Sequence, residues 1–165
     1  MMDLDRLQAL LDQSVNQAGP HLRRTFELPE HSLSAAQLAR YWGRERQFAL
    51  ATVTARGEPR VGPVQVLLQH GRLYVPTAVD AARVQHVTYR PAVSLTHWVS
   101  DVVAIIGHGR AVLVPPDSTE FDRLATAYPG QWWHDLRRAG HGAFLLIDLA
   151  ALYTWARDPG AFPPD

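Results

Sequence analysis

The sequence predicts a mainly β domain with inserted helices, a split β-barrel of about six to seven antiparallel strands. Three observations predict it. First, the hydrophobic period changes from near 3.6 to 2 just before residue 48. Second, the runs "FALATVT", "RVGPVQVLL" and "RLYVPT" are joined by two short turns, "ARGEP" and "QHG", which is the pattern of an antiparallel meander. Third, further strand-like runs follow in pairs instead of alternating with long helices, so a doubly wound sheet does not fit. Closing the sheet removes its exposed edges.

Each element has its own justification. Leu4, Leu7, Leu11 and Val15 form one helical stripe over residues 4–15, with Asp3 as N-cap and a stop near Gly19-Pro20. "HLRRTFELPEH" shows no period and reads as an irregular link. Ser34 and Gln37 then form a capping box, with Leu33 and Leu38 placed as a hydrophobic staple. This second helix carries Leu38, Tyr41 and Trp42 inward and ends around Arg46. After the meander, "DAARVQHVTYR" reads as a short helix capped by Asp80, with Ala81, Val84 and Val87 inward and Pro91 enforcing its end. "AVSLTHWV" and "VVAIIGHGRAVLV" are strands turned at Ser100-Asp101. A helix follows Pro115-Pro116, with Asp117 and Glu120 at capping-box spacing, and Pro129-Gly130 stops it. "QWWHDLRRAGHG" fits no single template. "AFLLIDL" and "ALYTWA" are closing strands, and "RDPGAFPPD" reads as a frayed tail. The expected organisation is a helix and link over residues 1–31, the barrel over 32–158, and the tail over 159–165.

Composition narrows the function. With 47% hydrophobic and 19% charged residues the chain is globular, and its 165 residues suit one domain. Sixteen Lys and Arg balance sixteen Asp and Glu, so no global field recruits nucleic acid or an acidic membrane. No cysteine is present, which excludes disulfides, thiol nucleophiles and thiolate metal sites. The acidic start "MMDLDRLQALLDQ" does not suit a secretion signal, so a cytoplasmic location is expected.

Two places invite a ligand. In "RVGPVQVLL", Pro63 cannot donate to a ladder and Gly62 permits close approach. A simple bulge explains the pair, but so does a planar ring laid against free backbone groups of Val64, Gln65 and Val66. Arg83 stands in the first turn of its helix, where the macrodipole disfavours a cation. It is either a solvated surface residue or the counter-charge of an anion such as phosphate, with Thr77 as a hydroxyl donor. His97, His108, His134 and His141 lack paired metal-ligand spacing, so no metal is expected. "GHG" at 107–109 lacks the rest of a nucleotide-binding glycine motif. Trp132, Trp133, His134, Arg137 and Arg138 are either packing plus a basic helix end or a platform for a flat substrate. No side chain stands out as a catalytic acid or base.

The ordered string "LATVTARGEPRVGPV", "GRLYVPT", "DAARVQHVTYRPAVSL" and "IIGHGRAVLV" resembles the pyridoxamine 5′-phosphate oxidase-like superfamily of FMN-binding split barrels, over roughly residues 40 to 156. The resemblance implies an FMN-dependent oxidoreductase acting on an unidentified small molecule by hydride or electron transfer. It also implies a homodimer with composite cofactor sites. The strand "VGPVQVLL" would lie along the isoalloxazine ring, and "PTAVDAAR", with Pro76, Thr77, Ala82 and Arg83, would hold the phosphate. Trp98 and Trp155 are candidates for packing near the ring or the interface. Relatives of this barrel bind deazaflavin or haem instead, as reductases, carriers or sensors, and for haem His97 or His108 would have to ligate iron. Ala81, Ala82 and Val64 stand where the oxidase proper has Ser, Arg and Arg, and the chain closes on "ARDPGAFPPD" without that enzyme's Arg-rich substrate signature. The resemblance therefore points to the barrel and its cofactor more than to pyridoxamine phosphate oxidation.

Overall fold

A computed structural model describes residues 3–43 and 46–163. The outermost residues of the N-terminal segment and of the tail, 1–2 and 164–165, thus lie outside the described residues. Six strands form a closed antiparallel barrel in the order β1-β2-β3-β6-β5-β4. They are β1 (Arg46–Val53), β2 (Pro59–Gln69), β3 (Arg72–Ala78), β4 (Ala92–Val99), β5 (Val103–Leu113) and β6 (Gly142–Ala156). The expected barrel is present. The two closing strands are one continuous β6, bent where the register with β5 slips. His108 faces Ala151 and Gly109 faces Leu149, leaving Ala150 as the extra residue of a bulge. The bulge explains "GHG": a Cβ at Gly109 would overlap the Asp148 carbonyl oxygen.

Helices close the barrel from outside. In α1 (Leu4–Gln17) Asp3 caps as expected, accepting from the Arg6 N–H at 3.0 Å. Leu7 and Leu11 enter the barrel core while Leu4 stays exposed, and the Ser14 hydroxyl accepts the Leu152 N–H beyond the bulge at 2.8 Å. The "irregular link" contains a short helix, α2 (Pro20–Thr25), which buries no residue and therefore writes no stripe. In α3 (Ala35–Trp42) the Ser34–Gln37 capping box is formed, and Leu38 and Trp42 are buried. It stops at Gly43, short of the expected end, because Arg46 already belongs to β1.

Four other readings change. In α4 (Ala82–Tyr89) the cap residue is Ala81, not Asp80. A turn closed by the Ala81 N–H on the Ala78 carbonyl delays the helix start and leaves Asp80 exposed outside it. In α5 (Thr119–Ala127) Ser118, not Asp117, accepts from the Phe121 N–H. "QWWHDLRR" is a helix, α6 (Gln131–Arg138). The tail is docked: the Gln37 amide donates to the Pro159 carbonyl at 2.9 Å, and Phe162 packs edge-on against Tyr41.

The barrel interior, with Val66, Val75, Ile105 and Leu145, forms the main core. A second core on the outer face of β3 and β6 holds α5 and α6 through Tyr74, Tyr128, Trp133 and Phe144. Here the Tyr74 hydroxyl donates to the Glu120 carboxylate at 2.5 Å. Burial first, and then the neighbouring Glu120, push the Tyr74 pKa from 10.0 up to about 12. The folded chain therefore holds this proton more tightly than the unfolded chain. Its contribution is whole below pH 10 and is lost as the pH rises toward 12. Denaturant titrations should show stability falling over that alkaline window, and Tyr74→Phe should flatten the slope there.

Candidate functional site

The barrel opens where two neighbouring strands part. β2 is laddered to β1 along Pro59–Val66, but to β3 only across Leu67–Gln69. The β3-facing edge of residues 59–66 carries no ladder partner among the described residues. β3 runs on against β6 through Ala78. Between the diverging strands lies a cleft of about 290 Å³, lined by Gln47, Pro63, Val64, Gln65 and Pro76. Arg83 from α4 and Trp132 from α6 complete its rim.

Pro63 suits this open edge because it has no N–H to leave unpaired. Nothing among the described residues requires Gly62: its φ is not left-handed, and a Cβ there would meet none of their atoms within 4 Å.

Arg83 is half-buried and has no hydrogen-bond or ion-pair partner among the described residues. Burial lowers its pKa from the ordinary value, the signature of a cation short of both water and counter-charge. α4 also begins without a side-chain cap among the described residues. A half-buried guanidinium and uncapped N–H groups at one helix start together favour an anion.

A second hollow, of about 440 Å³, adjoins the first and shares Gln47 and Pro63 with it. Its other walls are mostly apolar and include Phe48, Val61, Gly62 and Trp98. Val61 and Trp98 are 73% and 60% exposed, large fractions for apolar side chains. The hollow exists because β1 meets β4 through only three pairs, Ala49–Ala51 with Ser94–Thr96, and the strands separate beyond them. His97, also on this wall, is committed: its Nδ1 donates to the Gln47 carbonyl, and its Nε2 accepts a hydrogen bond from the Tyr41 hydroxyl, each at 2.8 Å. His108 is exposed and bonded to Ser94.

Of the residues singled out by sequence, Val64, Gln65, Pro76 and Arg83 meet at the first cleft, and Trp98 lines the second. Val66 lies in the barrel core, where its carbonyl accepts from the Trp42 indole at 3.2 Å. Thr77 is buried, two residues beyond Val75 on the strand face that points into the barrel. Ala82 is the exposed first residue of α4. Gln47 and Phe48 escaped the sequence reading. The signal was the hairpin register, which sets Gln47 opposite Gln65 and Phe48 opposite Val64.

The model of the pyridoxamine 5′-phosphate oxidase family matches residues 35–156, from α3 to the end of β6. The chain belongs to that family. Both clefts lie inside the matched span, whereas α1 and α2 precede it. Similar folds within reach of this family member include a conserved hypothetical protein of Mycobacterium tuberculosis, at 16% identity and TM-score 0.62, covering 82% of this chain and 92% of that one. The haem storage protein HutZ of Vibrio cholerae is similar at 16% identity and TM-score 0.61, over 72% and 92% of the two chains. An FAD-binding protein of Mesorhizobium loti is similar at 18% identity and TM-score 0.57, over 74% and 93%. At these identities the likeness concerns the fold. No curated protein matches the sequence. No helix among the described residues is long and apolar enough to cross a membrane.

Proposed function

We propose that this family member binds FMN and acts as an oxidoreductase on a small molecule. One observation carries the reading: a cationic cleft and an apolar hollow adjoin through Gln47 and Pro63. That pair suits a ligand with an anionic end and a flat ring. The residues fit FMN by chemistry. Arg83 and the uncapped start of α4 take the phosphate. The open edge of β2 at Val64 and Gln65 offers backbone groups to the polar edge of the ring. Gly62 allows the ring to approach closely, and Phe48 and Trp98 wall the apolar side. When bound, FMN supplies hydride or electron transfer, and the chain orients it and keeps water from one face.

A second copy of the chain completes the site in this proposal. Val61, Trp98, Val99 and Val102 are apolar and at least 44% exposed, and the first two flank the hollow. A homodimer seated there would cover them and enclose the ring. Both the FAD-binding and haem-storing neighbours share the fold, so the ligand is best tested by colour.

Purified protein mixed with FMN and freed of excess by filtration is expected to keep the two-band flavin absorption. It should then be reducible by a nicotinamide donor. A Soret band would move the function to haem. A colourless filtrate-washed protein would overturn FMN and make deazaflavin the next ligand to try.

A further inference from the structure

Trp132, Tyr128 and Gln65 form a directed chain of hydrogen bonds ending at the cleft. The Trp132 indole N–H donates to the Tyr128 hydroxyl at 3.1 Å, and the Tyr128 hydroxyl donates to Gln65 Oε1. The direction follows from the groups. An indole can only donate, so the phenol oxygen receives there and its one proton goes on to the amide oxygen. With Oε1 engaged, Gln65 turns its Nε2 hydrogens away from Tyr128. Nε2 has no acceptor among the described residues, and Gln65 lines the same cleft as Arg83.

The core, not a ligand, sets the position of Tyr128. The residue is 1% exposed, its ring meets Trp133 and Phe144 edge-on at 6.0 and 6.3 Å, and its carbonyl accepts from His134 Nε2 at 2.7 Å. The amide orientation is therefore built in before anything binds.

We infer that the Gln65 side-chain amide is a second side-chain donor, beside Arg83, to the phosphate monoester in this cleft, and that Tyr128 is its positioning residue. The inference rests on the FMN reading above. It gives Gln65 a side-chain role distinct from its backbone role along the ring. It also supplies from a strand a side-chain donor, which Ala81 and Ala82 at the helix start lack.

FMN and riboflavin differ only in the phosphate, so titrating the full chain with both isolates this contact. Tyr128→Phe keeps the packed ring and removes the hydroxyl. It is expected to weaken FMN about tenfold, with riboflavin changed by less than about twofold. Gln65→Ala should do the same, and the double variant should lose no more than either alone, since both act through one contact. Gln65→Glu sets a carboxylate beside Arg83 and the phosphate, and should weaken FMN further, by about 100-fold. Equal losses of FMN and riboflavin would mean a purely structural role and overturn the inference. So would unchanged FMN binding in Tyr128→Phe and Gln65→Ala. If Arg83→Ala still weakens FMN in that case, the FMN site stands without the relay. A wild-type chain that binds neither flavin overturns the FMN reading and this inference together.

Discussion

Arg83→Ala is expected to weaken FMN binding about 10- to 100-fold while leaving riboflavin binding unchanged. The magnitude follows from a hydrogen bond to a charged group, worth about 1.5–3 kcal/mol, or one to two powers of ten in affinity. The selectivity follows from location, because Arg83 lines the cationic cleft and not the apolar hollow. Thermal stability should not fall, since the guanidinium has no partner among the described residues and its burial disfavours the charge. Arg83→Lys should restore only part of the FMN affinity, because a lysine ammonium lacks the planar fork that grips phosphate oxygens in pairs. Flavin fluorescence titration with both ligands checks each outcome. A parallel loss of riboflavin would place Arg83 in the support of the fold instead.

Trp133→Ala is expected to cost about 3–5 kcal/mol of stability, the range for emptying a large aromatic site in a core. Trp133 is fully buried, lies 4.4 Å from Phe144 between ring centroids, and donates its indole N–H to the Ala143 carbonyl at 2.9 Å. It is also the one buried residue of α6, so its loss removes what fastens that helix to β6. Trp132 sits on the same helix at the rim of the cleft. FMN binding should therefore weaken in this variant even under conditions where the barrel remains folded. Denaturant unfolding followed by circular dichroism, with a flavin titration below the transition, separates the two effects.

These expectations rest on features of unequal visibility in the sequence. The capping box at Ser34 and Gln37, the cap at Asp3 and the meander of β1 to β3 were legible, because each depends on neighbours within a few residues. Helix α6 was not legible: with Trp133 as its one inward anchor, it writes no stripe at helical spacing. The continuity of β6 was hidden for a different reason. The bulge at Ala150 depends on the register with β5, which no local run of apolar residues reveals. At the start of α5, Asp117 and Ser118 are both good caps, and the turn in which the Ser118 N–H meets the Pro115 carbonyl decides between them.

The site divides the same way. Gly62, Pro63 and Arg83 are out of place in an ordinary strand and helix start, so they signal themselves. Gln47 and Phe48 gain meaning only from hairpin register. The cleft itself arises where β2 leaves β3 after three pairs, a property of how the sheet closes. The relay through Tyr128 joins residues sixty-three positions apart in sequence, beyond the reach of any local pattern.

The most direct test of the account is a crystal structure of the protein with FMN. The phosphate is expected within hydrogen-bonding distance of the Arg83 guanidinium, and the ring against Gly62-Pro63 beside Trp98. A flavin whose phosphate lies elsewhere, for instance in the hollow between α1 and β6 lined by Gln8, Asp12 and Thr154, would contradict it.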